Sequence, residues 1–479
     1  MKIAVVGSGP SGWSAAVKLL ELGHDVTVFD GGVSEESPNQ SPTNLSINQK
    51  LLRGSNYPYR MFRSGPKISQ KKTNLSYSFS SSGLSLVWGA TMLPYGTKEL
   101  DSWPIKNTDL DSYYDQVSKV VPISGKNDDL VRCYRPYLSR EPLLPTNRVM
   151  TFLHQVESVS TGHIFVGSSR LAIEPKKGTK GSCNYCDSCL SGCPRDLIWF
   201  APQIEREEIN YLTGLRVLSI SESSNVALNV VDSNGQESIY SNFDKVFLGA
   251  GNIETFRILS TSRMVESSVK LLDSATFFIP FLLKSKYGKP EKAKYSLSQA
   301  LMRIEDEAYK PLQIQLYDYS EDLVQRAQER LLFGKKIPKW ILRIPLKRLF
   351  VGIGYLHSTD SPCIQMRLTD AGDVELTQGC SSQIPTNFKV EKVLKHNKSF
   401  FGKAGLMPIY KLIQYALPGE GVHAGGWLPM GTSSDLLGRP SGSKNIHVID
   451  SSIFPSIPAG AITFTVMANA MRIAEQACE

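Results

Sequence analysis

"KIAVVGSGPSGWSAAVKLLELGHDVTVFD", residues 2 to 30, decides the fold. It opens on a short apolar run of the buried-strand type, and from Pro10 its apolar residues recur at the three- and four-residue spacing of a helix face. A second apolar run follows and ends on an acid, Asp30. Strand, glycine turn, helix and strand make a dinucleotide-binding unit when the glycines fall as G-x-G-x-x-G, as Gly7, Gly9 and Gly12 do. Gly7 permits the tight turn, Gly9 lets the backbone approach a pyrophosphate, and Gly12 lets the helix pack closely on the strand. The helix N-terminus then offers unpaired amides and a favourable dipole to phosphate. Asp30 stands where an acid accepts hydrogen bonds from an adenosine ribose. The unit predicts an α/β fold and a dinucleotide, and does not by itself choose between FAD and NAD.

Three later stretches make that choice. "SSGLSLVWGATMLPYG" (81 to 96) is rich in small residues around Trp88, Gly89 and Ala90, as a loop closing over a flat ring system would be. "FDKVFLGAGNIETFRILS" (243 to 260) is a buried strand running into Gly249, Ala250 and Gly251, a second close approach of backbone to a cofactor. "NIHVIDSSIFPSIPAGAITFTVMANAMRIAEQA" (445 to 477) reads as a strand ending at Asp450, a proline-bearing loop and a long closing helix. In order and content these resemble the glucose-methanol-choline (GMC) oxidoreductases. The closing segment carries the most specific part of the likeness, in Asp450, Ser452, Phe454, Pro455, Thr463, Thr465, Met467 and Ala468.

The resemblance implies an FAD-binding Rossmann-like domain with a discontinuous α+β substrate domain. It implies FAD held by Gly7, Gly9, Gly12, Asp30, Trp88, Gly89, Ala90, Gly251, Asp450, Ser452 and Thr463. The flavin domain is expected from residues 1–110, 195–265 and 420–479, and the substrate domain from 111–182 and 266–419, with a cysteine-rich loop at 183–194. Oxidation of an alcohol needs a base for the hydroxyl proton, and a neutral imidazole suits that task. Of seven histidines, His423 in "GEGVHAGGWLPMGTSSD" (419 to 435) matches the family's stretch bearing the catalytic histidine. His357 and His447 read as structural. Where the family places a second His or Asn, before the T-x-T helix start, this chain has Ala461. Alanine has no side-chain hydrogen bond to give, so another group must orient the substrate.

"GSCNYCDSCLSGCPRD" (181 to 196) sets Cys183, Cys186, Cys189 and Cys193 at C-x2-C-x2-C-x3-C-P spacing. This is the bacterial ferredoxin run, in which thiolates hold iron and sulfide. A three-iron or four-iron cluster is the expectation, with tetrahedral zinc or free thiols as alternatives. Some sugar-oxidising members of the resembled family carry a cluster in a similar cysteine-rich insertion. A cluster there would pass electrons singly from reduced flavin to an external acceptor. The expected function is therefore an FAD-dependent dehydrogenase oxidising a hydroxyl of a sugar or glycoconjugate. An oxygen-using alcohol oxidase with a structural metal, or a flavin and iron-sulfur electron-transfer protein, are the alternatives.

With 479 residues, 41% hydrophobic and 20% charged, the chain has ordinary globular composition, and its net charge of +8 is spread thinly. No nucleic-acid recognition motif accompanies the charge, so nucleic acid is not an expected partner. The dinucleotide unit begins at Lys2, which leaves no room for a signal peptide and places the expected protein in the cytoplasm. "ATFFIPFLL" (275 to 283) is far shorter than a membrane span. A basic, aromatic stretch at 326–356 is the one segment suited to peripheral contact with an anionic membrane face, and its prolines make a basic surface element the preferred reading.

Overall fold

The computed structural model describes residues 1–32, 65–86, 88–159, 161–175, 208–284, 287–289, 295, 297–319, 343, 345–379 and 385–479. Cys183, Cys186, Cys189 and Cys193, and much of the 326–356 stretch, lie outside the described residues. Residues 2–30 form strand Lys2–Val6, helix Pro10–Glu21 and strand Asp25–Asp30. These strands sit inside a five-stranded parallel sheet ordered Ile446–Val448, Lys245–Leu248, Lys2–Val6, Asp25–Asp30, Asn210–Thr213. A parallel sheet is covered on both faces, which is why these strands read as apolar runs without alternation.

On one face, helix Pro10–Glu21 packs against the closing helix Thr463–Gln476, which also packs against helix Asn107–Val120. On the other lies a three-stranded antiparallel sheet, Leu215–Glu222, Val226–Asp232 and Glu237–Phe243, whose Tyr240 and Phe243 rings meet Phe29 at 5.0 and 5.8 Å. Its Asp232–Gln236 turn uses Gly235 at φ +87° and an Asp232 side chain accepting from Asn234 N and Gln236 N.

The second unit is built on an antiparallel sheet ordered Leu406–Pro408, Thr276–Leu283, Leu349–Tyr355, Leu312–Tyr317, Ala300–Ile304, Ile164–Ser168. One face is apolar. Phe277, Ile279, Phe281, Ile314, Leu316 and Phe350 are fully buried there and form a second core with helices Asn147–Glu157, Thr386–His396 and Lys398–Ala404. The other face of Leu312–Tyr317 carries Gln313, Gln315 and Tyr317, because successive strand residues point to opposite sides. A further sheet, ordered Ala424–Gly425, Ser268–Asp273, Ile364–Leu368, Val374–Gln378, Ile68–Lys71, joins the two units. Among the described residues no helix is long and apolar enough to cross a membrane.

Candidate active site

The glycines of the first turn interlock with those of the second. Gly7 adopts φ +95°, and a Cβ there would stand 2.5 Å from Gly249 O. A Cβ on Gly12 would stand 1.9 Å from Gly7 O, and one on Gly249 would stand 2.8 Å from Ser11 Oγ. Three backbones thus meet where side chains have no space. Gly9 differs, since a Cβ there would meet only Ser82 O, at 3.9 Å, and otherwise faces open volume.

That volume is a cavity of about 440 Å³ reached by Gly9, Pro10 and Ser11 at the start of the first helix. The helix has no acidic residue in its first turn and no side-chain cap, so its free amides stay available to an anion. Room at Gly9 and uncapped amides beside it fit a pyrophosphate.

Asp30 ends the second strand and lines the cavity, yet both its oxygens are already engaged. Oδ2 accepts from Ser8 N at 2.7 Å and Oδ1 from Gly32 N at 2.6 Å. Burial pushes its carboxyl pKa upward against these bonds. Asp450 does the same for the second turn. Its Oδ2 accepts from Gly251 N at 2.9 Å and from Thr255 Oγ1 at 2.6 Å, and its Oδ1 accepts from Ser452 N at 2.9 Å. Trp88, Gly89, Ala90, Gly251, Asp450 and Thr463 line the cavity with Gly7, Gly9 and Asp30, and Ala90 holds φ +54°. Gly12 and Ser452 stand behind the wall. Ser452 Oγ donates to Asn252 Oδ1 at 3.2 Å, while Asn252 Nδ2 donates to Ala424 O at 3.0 Å, one residue from His423.

His423 lines the cavity, its ring 4.8 Å from that of Tyr355. Its Nδ1 has no hydrogen-bond partner among the described residues. Burial lowers its pKa to about 4, so the ring is neutral at neutral pH and able to take a proton. Two features hold it there. Ser274 N donates to His423 O at 2.9 Å, and the neighbouring Asp273, 1% exposed, pairs in register with Ala424, its carboxyl pushed up to about 7 by burial. Val422, directly before the histidine, sits at φ +60°, a region costly for a β-branched residue.

Val422→Gly should therefore raise stability by about 1 kcal/mol, the relieved strain exceeding the entropy glycine adds to the unfolded chain. It should also slow substrate-driven flavin reduction a few-fold by loosening the His423 tether. Urea melts and stopped-flow traces would check both, and a destabilised V422G with normal rates would remove the strain argument.

Two other histidines have structural work. His357 Nδ1 accepts from Thr359 N at 3.2 Å, capping the turn Ser358–Asp360, and is 4% exposed. His447 stacks on Phe247 at 5.0 Å and bonds Leu437 O through Nδ1 at 3.0 Å.

Ala461 does line the cavity, and so do Gln315, Tyr317 and Tyr355 on the antiparallel sheet. Sequence reasoning missed all three. The one signal for Gln315 and Tyr317 was the alternation in "QIQLY" (313 to 317), a strand with a polar face. The charged side chains of the described lining are Asp30, Arg216, Glu254 and Asp450. All four stand on the elements around the dinucleotide turns. Arg216 is paired with Glu254 at 3.1 Å. Among the described residues no group of three or more His, Cys, Asp or Glu is placed to hold a metal ion.

Residues 392–470, which include His423, Asp450 and Thr463, match the family model described as GMC oxidoreductase. No curated protein matches the sequence. In fold the chain is similar to pyridoxine 4-oxidase from Mesorbium loti, at 15% identity over 99% of this chain and 98% of that one, with a TM-score of 0.66. It is also similar to a variant of formate oxidase from Aspergillus oryzae RIB40 studied for FAD modification, at 12% identity over 99% and 97%, with a TM-score of 0.67. The matched segment, which supplies the candidate base and the start of the closing helix, is similar to the GMC oxidoreductases, and the chain as a whole shares the fold of these two oxidases.

Proposed function

We propose that the protein is an FAD-dependent dehydrogenase that oxidises a hydroxyl of a sugar or glycoconjugate to a carbonyl and passes the electrons to an external acceptor. The observation that carries this reading is a neutral imidazole, His423, on the same cavity as the paired glycine turns. When bound, FAD supplies the acceptor for the hydride that leaves the carbinol carbon. His423 takes the hydroxyl proton at a ring nitrogen, so the alcohol loses one proton and one hydride and becomes a carbonyl. The interlocked turns around Gly7 and Gly249 hold the dinucleotide's phosphate end, and Asp450 keeps the second turn in place through Gly251 and Thr255.

An iron-sulfur cluster on Cys183, Cys186, Cys189 and Cys193 would carry the two electrons onward one at a time to a protein or quinone-like acceptor. The test is the iron, acid-labile sulfide, zinc and FAD content of anaerobically purified protein, with electron paramagnetic resonance before and after reduction. About three or four irons with matching sulfide per FAD is the expected result. One zinc without sulfide would remove the relay.

A second reading, an oxidase returning electrons to oxygen with a structural metal at the cysteines, is favoured by the fold likeness to two oxidases. Oxygen uptake equal to substrate turnover would select it.

A further inference from the structure

Gln315 and Tyr317 alternate with Ile314 and Leu316, which are fully buried on the opposite face of the strand. This alternation sets two hydrogen-bonding side chains into the cavity wall, and Gln315 is itself only 4% exposed. Tyr317 donates to Gln315 Oε1 at 3.0 Å. With its oxygen so engaged, the carboxamide presents its nitrogen, a two-hydrogen donor, away from the phenol. The position relative to the base follows from the strand register. Tyr355, against which the His423 ring lies, is the register partner of Gln313, so Gln315 is its diagonal neighbour, about 7–8 Å along the sheet. Imidazole and amide therefore both front the cavity, the one lying against Tyr355 and the other one diagonal step from it on the same face of the sheet.

Ala461 has no polar atom on its side chain, and the residue before it, Gly460 at φ +133°, brings the main chain against Gln313, where a Cβ would stand 2.5 Å from Oε1. Polar recognition at this end thus comes from the sheet. It is also uncharged, since among the described lining residues the four charged side chains belong to the dinucleotide elements. An acid or a phosphate buried here would lack a cation, and an amine would lack a carboxylate, each at high desolvation cost.

We propose that Gln315, oriented by Tyr317, binds a second, uncharged hydroxyl of the substrate while His423 serves the reacting one, so that the site selects neutral vicinal diols and sugars over anions and monohydric alcohols. The inference rests on the oxidation reading above and is tested so that the two fail separately.

The test is anaerobic flavin reduction by the FAD-loaded protein with four probes: cyclohexanol, its cis vicinal diol, D-glucose and D-glucuronate. The diol should exceed cyclohexanol in rate constant over apparent KM by about 2- to 10-fold, the worth of one neutral hydrogen bond, and glucose should exceed glucuronate. Gln315→Leu should bring the diol-to-cyclohexanol ratio to about one. Tyr317→Phe, which frees the carboxamide to turn, should lower that ratio in part and serves if Q315L does not fold. A merely structural role would lower both rates and leave the ratio standing, which overturns the proposal, as would glucuronate outpacing glucose. If no probe reduces the flavin, dissociation constants from flavin spectral shifts decide. Diol binding that is lost in Q315L sustains the hydroxyl site and discards the oxidation reading, whereas equal or absent binding discards the site.

Discussion

His423→Gln lowers the rate of substrate-driven flavin reduction by about 100- to 10,000-fold, the span usual for removing a general base, while FAD remains bound at wild-type stoichiometry. Glutamine is close in size and keeps a polar end against Tyr355, but its amide takes no proton at any useful pH. The pH profile separates this role from a structural one. Burial holds the imidazole at about 4 against an ordinary value of 6.5, so the ring is neutral and competent across the neutral range. The wild-type rate should stay level as pH falls through 6.5 and decline only as the ring protonates near 4. H423Q should lack that lower limb. A variant that loses FAD along with activity, or that keeps the limb, would assign the titration to another group.

Gly12→Ala has the largest structural effect. Its new methyl would lie 1.9 Å from Gly7 O and 2.9 Å from Gly7 C, both backbone atoms fixed by the turn, so no side chain can swing aside. Helix and strand must separate, and Gly7 is itself locked against Gly249. We expect a loss of at least about 3 kcal/mol, the upper range for overpacking, and protein that purifies without flavin. Gly9→Ala is the matched control, because its methyl enters open cavity, 3.9 Å from Ser82 O. G9A should keep its urea midpoint and lose only FAD affinity. If both variants melt alike, the open volume at Gly9 is not where the cofactor lies.

The glycine turns were legible because backbone geometry admits few residue types there, and the spacing of Gly7, Gly9 and Gly12 states that restriction directly. The segment from Asp450 to Thr463 was legible for a related reason, a run of specific residues in a specific order. What a carboxylate does once placed was not legible. Asp30 and Asp450 read as cofactor contacts and both line the cavity, but each also accepts from backbone amides of its own turn, Asp450 from Thr255 as well, a bracing role the sequence did not announce. An acid near a glycine turn carries no mark in sequence of which partner it will take.

The polar wall of Gln315 and Tyr317 was hidden in another way. Alternation in a strand announces two faces but not what the polar face borders, and here it lines the same cavity as Ala461 and His423 from distant parts of the chain. The strand Ile68–Lys71 likewise pairs with Val374–Gln378 across some three hundred residues, which no local pattern encodes.

The strand Ile446–Val448 is the last of the parallel sheet to leave the ribosome, and it completes one edge by pairing with Lys245–Leu248. Until it arrives, that edge presents unpaired backbone groups to any neighbouring chain. Asp450, which fastens the second glycine turn, is also still missing. A chain cut short before Asp450 would thus keep the first glycine turn but lose the fastening of the second and one edge strand, and should hold its cofactor poorly.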